Sequence, residues 1–70
     1  MGERTNEQLY AESIKHLNDF KRDNIQFISL NMLQRKLLIG YTPVAKVLER
    51  LENEGYVSAV GKDLKREILR

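Results

Sequence analysis

Between Ile28 and Gly55 the chain reads ISLNMLQRKLLIGYTPVAKVLERLENEG, two short amphipathic runs separated by a glycine and a threonine-proline pair. Ser29 is a natural cap for the first run, and Leu30, Leu33 and Leu37 recur at helical spacing as an inward stripe. Asn31, Gln34 and Arg35, with Lys36 beside them, point elsewhere. Gly40 supplies the positive φ that a helix C-terminus often requires, so the first helix is expected to stop there. Thr42 then reads as an N-cap, with Pro43 at the first helical position, where a missing N–H costs nothing. Val44, Val47, Leu48 and Leu51 form the buried face of the second helix, and Asn53-Glu54-Gly55 ends it. This outline is a helix-turn-helix. In such a unit the first helix holds the second so that its N-terminal turn faces outward, where a duplex major groove can receive it.

The flanking segments complete a recognisable order. Thr5 begins a helix, because Gln8 three positions on closes a capping box and Glu7 complements the positive helix end. Leu9 or Tyr10, Ile14 or Ser13, Leu17, and Phe20 or Lys21 follow at helical spacing, giving a helix over about residues 5–22. Lys21-Arg22-Asp23-Asn24 ends it, and Ile25, Phe27 and Ile28 suit a short strand. After the helix-turn-helix, residues 56–60 and 67–69 are β-capable runs separated by Gly61-Lys62-Asp63-Leu64-Lys65-Arg66, a hairpin tip with three basic residues. A basic hairpin behind a helix-turn-helix is a wing. The expected fold is therefore α+β and mostly helical: a winged helix-turn-helix of three helices and a small antiparallel hairpin, over residues 5–70. Residues 1–4 read as a flexible N-terminus or a cloning remnant.

Size and composition narrow the function. Seventy residues make one domain near the limit at which a single core is stable, too small for a large enclosed active site. There is no cysteine and His16 is the lone histidine, so neither a metal nor another cofactor is expected. No apolar run approaches the roughly 20 residues of a membrane span, and MGERTNEQ lacks the features of a signal peptide. No membrane contact by this domain and a cytoplasmic setting are the expectations. There is no Gly-rich phosphate loop, and Glu52 and Glu54 diverge in direction on their helix, so an enzyme is not indicated.

The net charge of +2 hides an asymmetry. Residues 1–28 carry four Lys/Arg against five Asp/Glu, whereas residues 29–70 carry eight against five. The positive field thus falls on the helix-turn-helix and wing, where phosphate contacts are needed. Candidate contacts to double-stranded DNA are Gln34 and Arg35 on the first helix of the motif, and Thr42, Pro43, Lys46 and Arg50 on the second. Lys62, Lys65 and Arg66 join them from the wing. Each has a plainer reading. Lys46 and Arg50 suit a solvated face, with Arg50 paired to Glu54 at helical spacing, and lysines on an edge hairpin also keep it soluble. Tyr41 reads as a packing residue of the turn and His16 as surface or boundary.

Beyond these patterns, residues 28–57 resemble the C-terminal gamma domain of the bacterial DNA translocase FtsK and its SpoIIIE relatives. Leu33-Gln34-Arg35, Ile39-Gly40-Tyr41 and Glu54-Gly55 occur in order at the family's spacing, and the resemblance extends over about residues 9–69. It implies recognition of short, polarised G-rich chromosomal sequences that load and direct a hexameric motor. It also implies contact with a tyrosine recombinase, XerD, and a parent translocase anchored in the inner membrane. Arg35 keeps a matching basic position and Lys46 replaces the arginine that ends the recognition motif. Thr42 stands for the family's asparagine and Pro43 for its arginine, and proline has no donor for the O6 and N7 of guanine. A small transcriptional regulator on this fold, or a winged helix that docks a recombinase or motor without DNA, are the alternatives.

Overall fold

The computed structural model describes residues 4–70. Its elements in chain order are α1 (Asn6–Arg22), β1 (Phe27–Ser29), α2 (Leu30–Leu37), α3 (Tyr41–Asn53) and β2 (Lys65–Glu67). This is the expected α+β winged-helix layout. Among the described residues no helix is long and apolar enough to cross a membrane.

Local chemistry accounts for most element ends. Thr5 caps α1 through the expected box: its hydroxyl accepts from the Gln8 N–H at 3.1 Å, and Gln8 accepts from the Thr5 N–H at 2.8 Å. Asn24 takes a left-handed φ of 64° after α1, and the Ile25 N–H reaches back to the Phe20 carbonyl at 2.8 Å. Gly55 does the same after α3 at φ 81°, with the Tyr56 N–H on the Leu51 carbonyl at 2.8 Å. Both are Schellman closures, which satisfy the last carbonyls of a helix. Ser29 caps α2 by accepting from the Met32 N–H at 3.3 Å.

The turn of the helix-turn-helix differs from the expectation. Leu38, not Gly40, takes the left-handed conformation that closes α2, at φ 58°. Gly40 lies at φ −72° and ψ 175° as the N-cap of α3, with no side-chain capping bond. Thr42 and Pro43 are therefore the second and third residues of α3, not its cap and first residue. Proline is tolerated there because the first turn's N–H groups have no intrahelical acceptor. Extended φ and ψ are what an N-cap needs, and Gly40 adopts them two residues before Thr42.

One core unites the elements. Leu9, Leu17 and Phe20 of α1, Leu33 and Leu37 of α2, and Val44, Val47, Leu48 and Leu51 of α3 are buried with Ile28 and Val57. Ser13 lies on the same face of α1, and its hydroxyl donates to the Leu9 carbonyl at 2.7 Å, so its burial leaves no polar atom unpaired. Of the alternatives open on this helix, the buried set is Leu9, Ser13, Leu17 and Phe20.

The returning strand does not pair as a simple hairpin. β2 runs antiparallel to β1, with Phe27 opposite Glu67, Ile28 opposite Arg66 and Ser29 opposite Lys65. The outgoing arm, expected as a strand over residues 56–60, meets the return through one bridge, Val57 to Ile68. A turn closes the wing, with the Gly61 N–H on the Lys65 carbonyl at 2.8 Å and the Leu64 N–H on the Gly61 carbonyl at 3.1 Å.

Candidate nucleic-acid interface

Helix α3 turns Val44, Val47, Leu48 and Leu51 inward, which leaves Tyr41, Thr42, Lys46 and Glu49 exposed on its outer face, with Ala45 half-buried among them. Between this face and the wing lies a cleft of about 440 Å³. Tyr41, Ala45 and Glu49 line it from α3, Val60 and Leu64 from the wing, and Ser29, Leu30 and Asn31 from the start of α2. Its walls are largely apolar, and Glu49 and Arg66 are the charged side chains that line it.

The candidate cations fall into two groups. Arg35, Lys46, Lys62 and Lys65 are exposed, and among the described residues none has an ion-pair partner. Arg50 and Arg66 are engaged within the fold. Arg50 grips Glu7 of α1 through two bonds of 2.8 and 3.4 Å, and its guanidinium lies 3.9 Å from the centre of the Tyr10 ring. The bond to Glu7 raises the Arg50 pKa above its ordinary value. The helical pair expected with Glu54 does not form: Glu7 and Tyr10, brought alongside by the packing of α1 on α3, take the guanidinium instead. Arg66 was expected at the hairpin tip but lies in β2. Its side chain is only 15% exposed, bonded to Glu52 of α3 at 2.8 Å and to the Ser58 carbonyl at 3.3 Å. It ties the wing to α3.

The remaining candidates lie on α2 and in the first turn of α3. Gln34 is half-buried on α2, and Arg35 is exposed in that helix's last turn. Lys36, beside them, lies over the Phe20 ring at 5.8 Å. Thr42 is exposed and Pro43 half-buried in the first turn of α3. With no side-chain cap, the N–H groups of Tyr41 and Thr42 remain open to a ligand, while Pro43 has none to give. Tyr41, read from sequence as packing, is 65% exposed on the cleft.

Glu49 was missed by the sequence reading. It shares the outer face one turn beyond Ala45 and Lys46, and no ion-pair partner holds it among the described residues. The same helical spacing that selected the buried stripe leaves Glu49 on the opposite side with Thr42 and Lys46, so the signal was available.

A family profile described as the Ftsk gamma domain matches residues 5–70. The chain belongs to the FtsK gamma domain family. Proteins named DNA translocase FtsK share its sequence: the one from Rickettsia bellii is 37% identical over 65 residues, covering 93% of this chain and 8% of the relative. That of Shewanella oneidensis is 36% identical over 61 residues, covering 87% and 6%. That of Caulobacter vibrioides is 49% identical over 41 residues, covering 59% and 5%. The gamma domain thus spans less than a tenth of the length of these relatives. No solved structure matches the chain. A gamma domain is distinct from an ATP-driven motor, and this one carries no phosphate-binding loop.

Proposed function

We propose that this gamma domain binds double-stranded DNA in a defined orientation, with the outer face of α3 in the major groove and the wing on the adjoining backbone. The observation that carries the reading is the set of exposed cations without an ion-pair partner among the described residues: Lys46 on α3 and Lys62 and Lys65 on the wing, the helix and the turn whose Ala45, Glu49 and Leu64 line one cleft. Arg35 at the end of α2 suits a phosphate contact, as the first helix of such a motif crosses the backbone. Thr42 and the open N–H groups beside it suit another phosphate.

Base reading falls to the outer face of α3, where Thr42 has a methyl group as well as its hydroxyl. Lys46 is a donor for guanine, Glu49 an acceptor for the N4 amino group of cytosine, and the methyl groups of Ala45 and Thr42 suit the thymine methyl. Pro43 offers no donor, and Thr42 lacks the amide that reads adenine, so the sequence bound differs from one read by an Asn-Arg pair at these positions. In a longer translocase such a domain would set the direction in which a motor loads, and contact with a recombinase or the motor while on DNA belongs to the same proposal; docking without DNA is the rival reading.

The test is a duplex pool offered to the purified domain at low salt, followed by selection of the bound sequences. Binding that falls steeply with salt is expected, because phosphate contacts release counterions. Absence of binding to every duplex, with capture of a purified recombinase or motor partner, would replace this reading with the docking one. A dimer that selects paired half-sites would favour a regulator on an operator.

A further inference from the structure

The wing turn places a leucine where a leucine is costly twice over. Leu64 takes a left-handed φ of 62°, a conformation that a branched L side chain adopts only against strain and that glycine or asparagine fills freely. Its side chain is also 73% exposed. The turn does not need it: the closure runs through backbone bonds between Gly61, Leu64 and Lys65, with the Asp63 carboxylate accepting from the Lys65 N–H at 3.2 Å. That bond turns the acid of the tip back onto its own loop and leaves Leu64 flanked by the exposed Lys62 and Lys65. Leu64 also faces the cleft, where Val60 and Tyr41, 51% and 65% exposed, extend the apolar surface.

We propose that Leu64 is an apolar contact on DNA, entering the edge of the minor groove to pack on deoxyribose and base edges. The inference rests on the DNA-binding reading above and deepens it. With α3 in the major groove, the strand bordering that groove lies in the cleft, and a turn on the cleft's far wall lands on the minor-groove side. Lysines on either side of the leucine match the phosphates that flank that groove. An apolar side chain pressed there favours steps that open easily, so it adds sequence preference through deformability at positions no polar side chain reads.

The experiment compares the whole domain with Leu64→Gly and Leu64→Asn, both suited to the left-handed turn, by fluorescence anisotropy on the selected duplex over a range of salt. Thermal melts run alongside. Both variants should keep or raise the melting temperature and bind about five- to tenfold more weakly, the scale of leaving most of a leucine side chain in water. The slope of affinity against salt should not change, since no cation is lost. Equal affinity in variant and parent, or a loss that comes with a flattened slope, overturns the role of Leu64 and leaves the DNA reading intact. Failure of the parent itself to bind any duplex overturns both.

Discussion

Replacing Lys62 and Lys65 together by glutamine and, separately, Arg66 by alanine should give opposite signatures, although all three are basic residues of one wing. The two lysines are exposed and unpaired among the described residues, so each is available to displace a counterion. At about 0.9 per phosphate, their loss should flatten the log–log salt slope by up to about 1.8. The affinity gap between parent and variant then shrinks roughly tenfold from 50 to 200 mM salt. Stability should move by no more than about 0.5 kcal/mol. Arg66 is already committed to Glu52, with exposures of 15% and 41%, and to the Ser58 carbonyl. A partly exposed ion pair contributes roughly 0.5–1 kcal/mol after screening, and the hydrogen bond about as much again. Arg66→Ala should therefore cost about 1–2 kcal/mol, or roughly 4–16 °C in Tm for a domain this small. Its salt slope, read below the melting range, should match the parent's. Anisotropy titrations and circular-dichroism melts measure both quantities. A full unit of slope lost in Arg66→Ala with an unchanged Tm would refute the division between free and engaged cations.

Other changes probe the turn, the code and the core. Leu38→Asn should raise stability by about 0.5–1 kcal/mol, because asparagine relieves a left-handed strain of about 1–2 kcal/mol and the leucine lost is 84% exposed; a lower Tm would mean that the side chain packs. Thr42→Asn with Pro43→Arg should shift a binding selection toward G-rich duplexes by about 1–3 kcal/mol of discrimination if the first turn of α3 reads bases, and an unchanged selection would show that it does not. Leu33→Ala, at a side chain with no exposure, should cost about 2–5 kcal/mol and bring much of the population toward unfolding in a thermal melt; a loss below about 1 kcal/mol would contradict a close-packed core.

What was legible in the sequence was local. The Thr5–Gln8 capping box, the Ser29 cap, the Gly55 closure and the stripe from Val44 to Leu51 each depend on residues a turn apart, and all stand in the structure. The misplaced turn came from reading glycine as the residue that must be left-handed. Leu38 takes that role, and Gly40, with nothing within 4 Å of an added Cβ and an ordinary φ, has no need to be glycine. The sheet was obscured for a different reason. Alternating patterns show which runs can be strands but not which strands meet, and β2 pairs along its length with β1 across almost forty residues of chain while the nearer arm of the wing meets the return at a single bridge. The same blindness to distance hid the pairing of Arg50 with Glu7 and of Arg66 with Glu52, which is why candidate cations that looked alike in sequence divide in the fold.

The bonding of the wing also bears on how fast and at what entropic cost a partner is met. Glu67 donates its N–H to the Ser58 hydroxyl at 2.8 Å and accepts from the Ser58 N–H at 2.9 Å, while Arg66 holds the Ser58 carbonyl and Glu52 of α3. A wing fastened at its base both to its own outgoing arm and to α3 does not have to fold upon its target. Helix and wing meet a surface as one preshaped jaw, with the ordering penalty already met during folding. Association should then proceed in a single kinetic phase, and its heat-capacity change should reflect the surfaces that touch, without the larger signature of a segment that folds as it binds.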